Sequence, residues 1–131
     1  MLEKTKGQVE AEIGEALIRF EKEYMGRGPR ETQTHIIKDM IIARLKGVLT
    51  PAEEQLAKSQ EGASLIKKIR DQLMSSSRAL LEDLIKRLTG RRLVSLHSDV
   101  STKTGEQVSI YVLDRNLEVI LPRKHDAPPR R

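Results

Sequence analysis

Apolar residues near the N-terminus repeat with the period of an amphipathic helix. They recur at steps of three and four residues from Val9 to Tyr24, and charged side chains occupy most of the positions between them. This spacing predicts a helix over residues 5–24 with one apolar face. Two glycines and Pro29 follow, and because glycine permits positive φ and proline lacks a backbone donor, the helix is expected to end before them.

β-branched residues cluster between residues 31 and 47, on both sides of the polar pair Lys38-Asp39. The pattern predicts a hairpin of two antiparallel strands that turns at this pair, with Ile36 opposite Ile41. A single helix through the region is the alternative. The core face of the hairpin would consist of Thr34, Ile36, Ile41, Ala43 and Leu45. Its other face would consist of Gln33, His35, Arg44 and Lys46.

The segment TPAE at residues 50–53 carries several signals of a helix start. Its threonine can accept hydrogen bonds from free amides, its proline suits the first helical position, and its glutamate can complete a capping box. A short helix is therefore expected to begin at Pro51.

A second apolar stripe with helical spacing runs from Leu65 to Leu88, and Gly90 is the expected C-cap. A continuous helix over residues 63–89 would be ~40 Å long, which exceeds the span of the predicted strands. The serines at residues 75–77 could instead break it, so that it folds back over its own sheet. For the continuous helix we expect a homodimer that buries the end of the stripe. The predicted dimer interface consists of Leu80, Leu84 and Leu88.

Alternation of apolar and polar residues from Leu93 to Val100 and from Val108 to Leu113 predicts a second hairpin, in which Gly105 supplies the positive φ of the turn. Residues 117–121 are expected to add a short edge segment. The predicted fold class is therefore α+β, with an N-terminal helix, two hairpins that form an antiparallel sheet covered mainly on one face, and a short and a long helix between the hairpins.

Composition excludes more functions than it identifies. The 131-residue chain is 37% hydrophobic and 33% charged, and it contains no cysteine and three aromatic residues. Of the formal net charge of +5, the last ten residues contribute +3, so the body is nearly neutral. A near-neutral body without an aromatic platform is not typical of nucleic-acid binding. The lack of cysteine excludes disulfides, thiolate metal sites and cysteine nucleophiles, and no cofactor is predicted.

The start of the chain has mixed charge, and its apolar runs are far shorter than the ~20 residues of a membrane span. We therefore expect a cytoplasmic protein without direct membrane insertion. Residues 1–121 are expected to form a single domain, and residues 122–131 a basic, proline-containing flexible tail whose removal leaves the fold intact.

Three segments, taken together and in order, resemble one known family. They read GRGP at residues 26–29, RLKGVLTPAE at residues 44–53 and HSDVSTKTGE at residues 97–106. Over most of residues 5–115 the chain is similar to the MpsC-type domain, a bacterial family named for a sodium-translocating, membrane-potential-generating system. The resemblance implies an accessory protein associated with a sodium-translocating or ion/bicarbonate transport system, and it assigns no catalytic residue.

The second hairpin contains the strongest candidate site. Pairing Val100 with Val108 would place His97 opposite Tyr111 on one sheet face, with Asp99 beside them. A histidine near a carboxylate can act as a base or sense ions, although a solvated face or a dimer interface would show the same residues. The candidate ligand or interface residues are Arg27, Arg44, His97, Asp99 and Tyr111.

Two other arrangements have less support. His35, His97 and Asp99 could bind a metal only if the hairpins were adjacent in the right order, and because the spacing gives no support for that, no metal site is predicted. The loop at residues 26–30 combines two glycines with two arginines that could hold a phosphate. It lacks the lysine and hydroxyl of a nucleotide-binding P-loop, so a plain backbone turn is favoured.

Two classes of function remain. The sequence favours a small interaction or regulatory protein, homodimeric and associated with a membrane transport-system partner, over an enzyme. The alternative is a small-molecule or phosphate/nucleotide-binding enzyme that uses the sheet face of His97 and Asp99.

Overall fold

The computed structural model describes residues 4–122, so the expected tail, apart from its first residue Pro122, lies outside the described residues. The predicted α+β class is confirmed. In chain order the elements are α1 (Lys6–Phe20), a π-helical segment (Glu21–Met25), β1 (Glu31–Ile37), β2 (Met40–Lys46), α2 (Pro51–Leu56), α3 (Gln60–Ser76), α4 (Arg78–Thr89), β3 (Leu93–Val100), β4 (Gln107–Leu113) and α5 (Leu117–Ile120).

Helix α1 begins and ends for local reasons. The Thr5 hydroxyl accepts from the Gln8 amide, and the Gln8 side chain accepts from the Thr5 amide, which completes a capping box. The predicted apolar face from Val9 to Phe20 is buried against the sheet. After the π-helical segment the helix ends at Gly26, which has a φ of 115°, a value that glycine adopts readily and other residues rarely do.

The first hairpin has the predicted register. Ile36 pairs with Ile41, and the strands turn at Lys38 and Asp39, with Lys38 at a φ of 56°. The single-helix alternative is therefore wrong. The sheet order is β1-β2-β4-β3, so the two hairpins join through their second strands and β1 and β3 form opposite edges.

The second hairpin has a different register from the predicted one. Val100 pairs with Gln107 rather than with Val108, and His97 pairs with Ile110 rather than with Tyr111. Residues that pair across two strands lie on the same face of the sheet. The large ring of Tyr111 is buried against the helices, whereas His97, which does not pair with it, is exposed and lies on the other face. The expected common face of His97, Asp99 and Tyr111 is therefore wrong.

The long helix is interrupted at Ser77, where the backbone leaves helical geometry (φ −95°, ψ 5°) between α3 and α4. The alternative of a break at residues 75–77 is thus confirmed over one continuous helix. Gly90 ends α4 in the left-handed conformation, as predicted.

The segment expected to be an edge strand after residue 117 is instead the short helix α5. The Asn116 side chain accepts from the Val119 amide at 3.1 Å, and this cap favours a helical turn over an extended strand. Leu117 is buried, and its amide donates to the Lys38 carbonyl at 2.9 Å, so α5 closes the turn of the first hairpin.

Helices α1, α3 and α4 pack on one face of the sheet, and the other face is open to solvent, as predicted. The covered face carries the core residues of all four strands. The open face has an aliphatic centre, and its edge strands carry mostly polar side chains, apart from the exposed Ile37 on β1. That centre consists of Met40, Ile42, Val108, Ile110 and Val112, all half-buried.

The close approach of α2 to α3 depends on Gly62. A Cβ at this position would lie 1.9 Å from the Leu56 carbonyl oxygen, which is a backbone atom and cannot move aside cheaply. We expect Gly62→Ala to lower the free energy of unfolding by about 2–4 kcal/mol in urea denaturation. The matched control is Gly7→Ala, because Gly7 also lies in the first turn of a helix, but a Cβ there would approach only the Thr5 hydroxyl oxygen, at 4.0 Å, which is an ordinary van der Waals contact. It should change stability by less than about 1 kcal/mol, in the stabilising direction. Equal effects of the two substitutions would contradict this role.

Candidate functional site

Three loops that are distant in the sequence meet at one end of the sheet. They are residues 26–30, 47–50 and 101–106, and together we call them the loop end. Val48 donates its amide to the Gly105 carbonyl at 3.0 Å, and the Arg30 amide donates to the Lys46 carbonyl at 2.8 Å. The Arg27 guanidinium donates to the Leu49 carbonyl at 3.3 Å. The three segments that carried the family resemblance therefore form one surface.

A buried arginine from α3, Arg70, supports the loop end from below. Only 3% of Arg70 is exposed. Its Nη2 donates to the Val48 carbonyl at 2.9 Å and to Glu53 Oε1 at 3.1 Å, and its Nη1 donates to Gln107 Oε1 at 3.3 Å. One side chain thus joins the loop after β2, the start of α2 and the start of β4.

Glu21 faces the same guanidinium from the π-helical segment. Its Oε1 lies 3.7 Å from Arg70 Nη1 and has no hydrogen-bond donor among the described residues, although Glu21 is 2% exposed. Burial raises the pKa of Glu21 to about 7, against the opposing effect of the Arg70 charge. This carboxyl group can therefore gain or lose a proton near neutral pH.

Glu53 is the second carboxylate of this network and behaves in the opposite way. Its partial burial would raise its pKa, but the Thr50 amide donates to it at 2.9 Å and Arg70 also donates to it, so the pKa stays below its usual value. The predicted capping box of α2 is present, and its glutamate also pairs with the buried arginine.

The sequence did not predict this buried network. A signal was available, since Arg70 lies four residues after Ile66 and four before Met74, both of which are buried. A charged residue at this spacing on the buried face of a helix requires a polar partner inside the protein. Nothing in the sequence pointed to Glu21 as one of those partners, because its inward position results from the π-helical segment that follows α1.

The predicted site residues of the second hairpin are divided between the two sheet faces. Tyr111 is buried on the covered face, and burial, with a contribution from the nearby Glu21 charge, raises its pKa well above the ordinary value. His97 and Asp99 lie on the open face. His97 Nε2 is 3.2 Å from the Ser95 hydroxyl, and Asp99 forms an ion pair with Lys67 at 3.0 Å.

Arg44 also lies on the open face, in the same row as Asp99 with Val108 between them. Its Nε donates to Glu106 Oε2 at 2.6 Å, which raises the pKa of Arg44 and lowers that of Glu106. Arg44 therefore fixes the third loop of the loop end to β2.

The two histidines of the described chain lie on opposite edge strands of the open face. His35, Ile42, Ile110 and His97 form one row across the four strands. Three strand spacings of ~4.8 Å separate the histidine backbones by roughly 14 Å. The adjacency that a shared metal site would require is therefore not present.

The predicted dimer residues lie along α4 at different depths. Leu80 is 48% exposed, whereas Leu84 and Leu88 are half-buried and pack against the core. Leu80 and Leu84 line a groove of about 230 Å³ between α4 and α1, opposite Phe20 and Tyr24. Leu88 is not among the residues that line this groove.

Comparison with known proteins gives a consistent result. Residues 5–115 match the profile of a family described as "Na+-translocating membrane potential-generating system (MpsC)". The chain is 43% identical over 124 residues to the uncharacterized protein YbcI of Bacillus subtilis (strain 168), covering 92% of this chain and 100% of YbcI. It is 28% identical over 109 residues to the uncharacterized protein YrhF of the same strain, covering 82% and 88% of the two chains. No solved structure matches the chain significantly.

Within residues 4–122, none of the helices combines the length and the apolar character needed to cross a bilayer.

The raised pKa of Glu21 makes stability depend on pH with a defined sign. The folded protein holds the Glu21 proton up to about pH 7, whereas an unfolded glutamate releases it near pH ~4.3. The folded state therefore binds more protons between these values, and the free energy of unfolding should fall as pH rises through them, by at most about 4 kcal/mol. The carboxylates with lowered pKa values, Glu53 and Glu106, act below this window.

Urea denaturation at pH values between about 5 and about 8 measures this slope. Glu21→Gln should flatten it, because the amide does not titrate. Glu15→Gln, at an exposed position of α1, should retain it. A slope that persists in Glu21→Gln would assign the pH dependence to another group.

Proposed function

Because this chain belongs to the MpsC family, we propose that it is a cytoplasmic accessory protein of a sodium-translocating, membrane-potential-generating system. In this proposal it acts by binding other proteins rather than by catalysis, and it does so as a homodimer. The family description supports the link to sodium translocation, and the groove between α1 and α4 supports the binding role.

The observation that carries the proposal is the exposure of large apolar side chains around this groove. Leu80 and Tyr24 are each 48% exposed, and the rings of Phe20 and Tyr24 are 5.3 Å apart on the facing wall. Leu84 extends the apolar lining inward. Exposed apolar side chains grouped in this way are costly to hydrate, and they are typical of a protein contact.

The charges around the groove support a second copy of the chain as its occupant. Arg19 and Arg87 line the groove together with Glu23, so the apolar centre has rim charges of both signs. A two-fold contact brings the same patch against itself, so that a surface carrying both signs can form complementary pairs across the interface. A patch of one sign would repel its copy.

The alternative, an enzyme that uses His97 and Asp99, has less support. Asp99 is paired with Lys67, and its carboxylate Oδ1 also accepts from the Val100 amide at 3.0 Å. His97 bonds to Ser95, and Tyr111 is on the opposite face. Acid–base chemistry needs a proton donor and acceptor directed at one point, and these side chains are directed at other partners.

Light scattering on the full chain tests the dimer. The wild type should have a mass of about twice 14.9 kDa at micromolar concentration. Leu80→Glu places a charge in the groove and should reduce the mass to that of the monomer. Leu65→Glu is the matched control, since Leu65 is 49% exposed on α3 and does not line the groove; it should remain dimeric. A monomeric wild type would contradict the proposal, as would equal effects of the two substitutions.

The link to sodium translocation can be tested in Bacillus subtilis, whose protein YbcI is similar to this chain over its full length. A strain without YbcI and YrhF should show a reduced rate of sodium efflux or a reduced membrane potential under sodium load. Wild type and Leu65→Glu should restore that value, and Leu80→Glu should not. If the double deletion changes neither quantity, or if Leu80→Glu restores it as well as wild type, the proposal is wrong.

A further inference from the structure

A cleft at the loop end holds an excess of positive charge. It has a volume of about 250 Å³ and lies between residues 101–106 on one side and α2 with the residues after it on the other. Its floor is the backbone of Gly47 and Gly105 with the buried Leu49. The polar side chains that line it are Arg30, Lys58, Lys103, Thr102, Thr104 and Glu54.

Among the described residues, the three cations of the cleft have no side-chain partners. Nine ion pairs form elsewhere in the described chain, but Arg30, Lys58 and Lys103 take part in none of them, and their side chains donate to no acceptor within residues 4–122. Glu54 also forms no ion pair there, so it leaves the cleft with a net charge of +2 from these four groups. Like charges held in one small recess repel each other, and an anion between them would relieve that repulsion.

The backbone adds neutral donors and fixes the position of Arg30. The amides of Thr102 and Lys103 have no acceptor among the described residues. Gly47 has a φ of 70°, and a Cβ there would lie 2.8 Å from Arg30 Nε, so the arginine side chain rests directly on the glycine backbone. The recess is thus lined by residues that carry a guanidinium, two ammonium groups and two hydroxyls, and two free amides lie in the same loop. Phosphate oxygens accept hydrogen bonds from donors of these kinds.

We propose that this cleft binds a small, soluble phosphate-bearing molecule. Clefts that hold drug-sized ligands have volumes of ~300–1,000 Å³, so a cleft of about 250 Å³ favours a ligand smaller than a nucleotide, such as a diphosphate or a phosphorylated small acid. Its apolar lining residue, Leu49, is buried, so the cleft offers a ligand no exposed apolar side chain. The planar guanidinium of Arg30 can donate to two phosphate oxygens at once, and the ammonium groups of the two lysines supply compact positive charges.

The cleft site is independent of the proposed dimer. None of the residues that line the cleft lines the groove between α1 and α4. Leu80→Glu should therefore leave anion binding unchanged, and substitutions in the cleft should leave the mass unchanged, so the failure of one proposal is distinguishable from the failure of the other.

Isothermal titration calorimetry of the full chain with inorganic pyrophosphate tests the site. The wild type should bind with an affinity that falls as salt concentration rises. Lys58→Gln and Lys103→Gln should each weaken binding by about tenfold, since each removes one charged donor. Both side chains are exposed, so neither substitution should affect folding.

Two further variants test whether the net charge of the cleft determines the affinity for pyrophosphate. Glu54→Gln removes the carboxylate of the cleft, and it should strengthen pyrophosphate binding several-fold because it raises the net positive charge. Lys68→Gln, at an exposed position of α3 outside the cleft, should bind as the wild type does. No binding at millimolar pyrophosphate would overturn the proposal, as would a Lys68→Gln effect equal to that of Lys103→Gln or weaker binding by Glu54→Gln.

Discussion

The guanidinium group of Arg70 is the point on which the loop end depends. A buried charge is costly to dehydrate, and it is tolerated only where hydrogen bonds and opposite charges surround it. Here the Val48 carbonyl, Glu53 and Gln107 accept its hydrogen bonds, and Glu21 lies beside it. These partners come from four separate parts of the chain. The cost of burial therefore selects one arrangement of the helices, the loop after β2 and the sheet.

The same arrangement connects the interior to both candidate surfaces. Glu53 holds the start of α2 in place, and α2 and the residues after it carry Glu54 and Lys58 into the cleft. The Val48 carbonyl accepts from Arg70, and the Val48 amide donates to the Gly105 carbonyl. The buried charge therefore also positions the loop that contains Lys103. On the other side, Glu21 follows directly after Phe20, which lines the groove of the proposed dimer. The two surfaces share no lining residue, yet they are built on one buried network.

Local signals were sufficient to predict most of the elements but not the way they pack. The capping box at Thr50 and the apolar pairing of Ile36 with Ile41 predicted a helix start and a strand register correctly, because each depends on neighbouring residues. The register of the second hairpin could not be predicted that way. The alternation of valine and tyrosine is compatible with either set of residues facing the core, and only packing against the helices determines that Tyr111 is buried. The buried network could not be predicted for a related reason: Arg70 and Glu21 meet only in the folded chain, whereas the histidines and Asp99 are recognisable in the sequence and lie exposed on the open face.

A double-mutant cycle between Arg70 and Glu21, measured by urea denaturation at about pH 8, tests this account most directly. Glu21 is then largely ionised, since its pKa is about 7. Arg70→Met should lower the free energy of unfolding by about 3–5 kcal/mol, because it removes the counter-charge of the buried Glu21, which must then stay ionised without a partner or take up a proton at a pH above its pKa. Combining it with Glu21→Gln should recover more than about 1 kcal/mol of that loss. A loss below about 1 kcal/mol for Arg70→Met, or purely additive effects, would show that the buried guanidinium does not hold the loop end together.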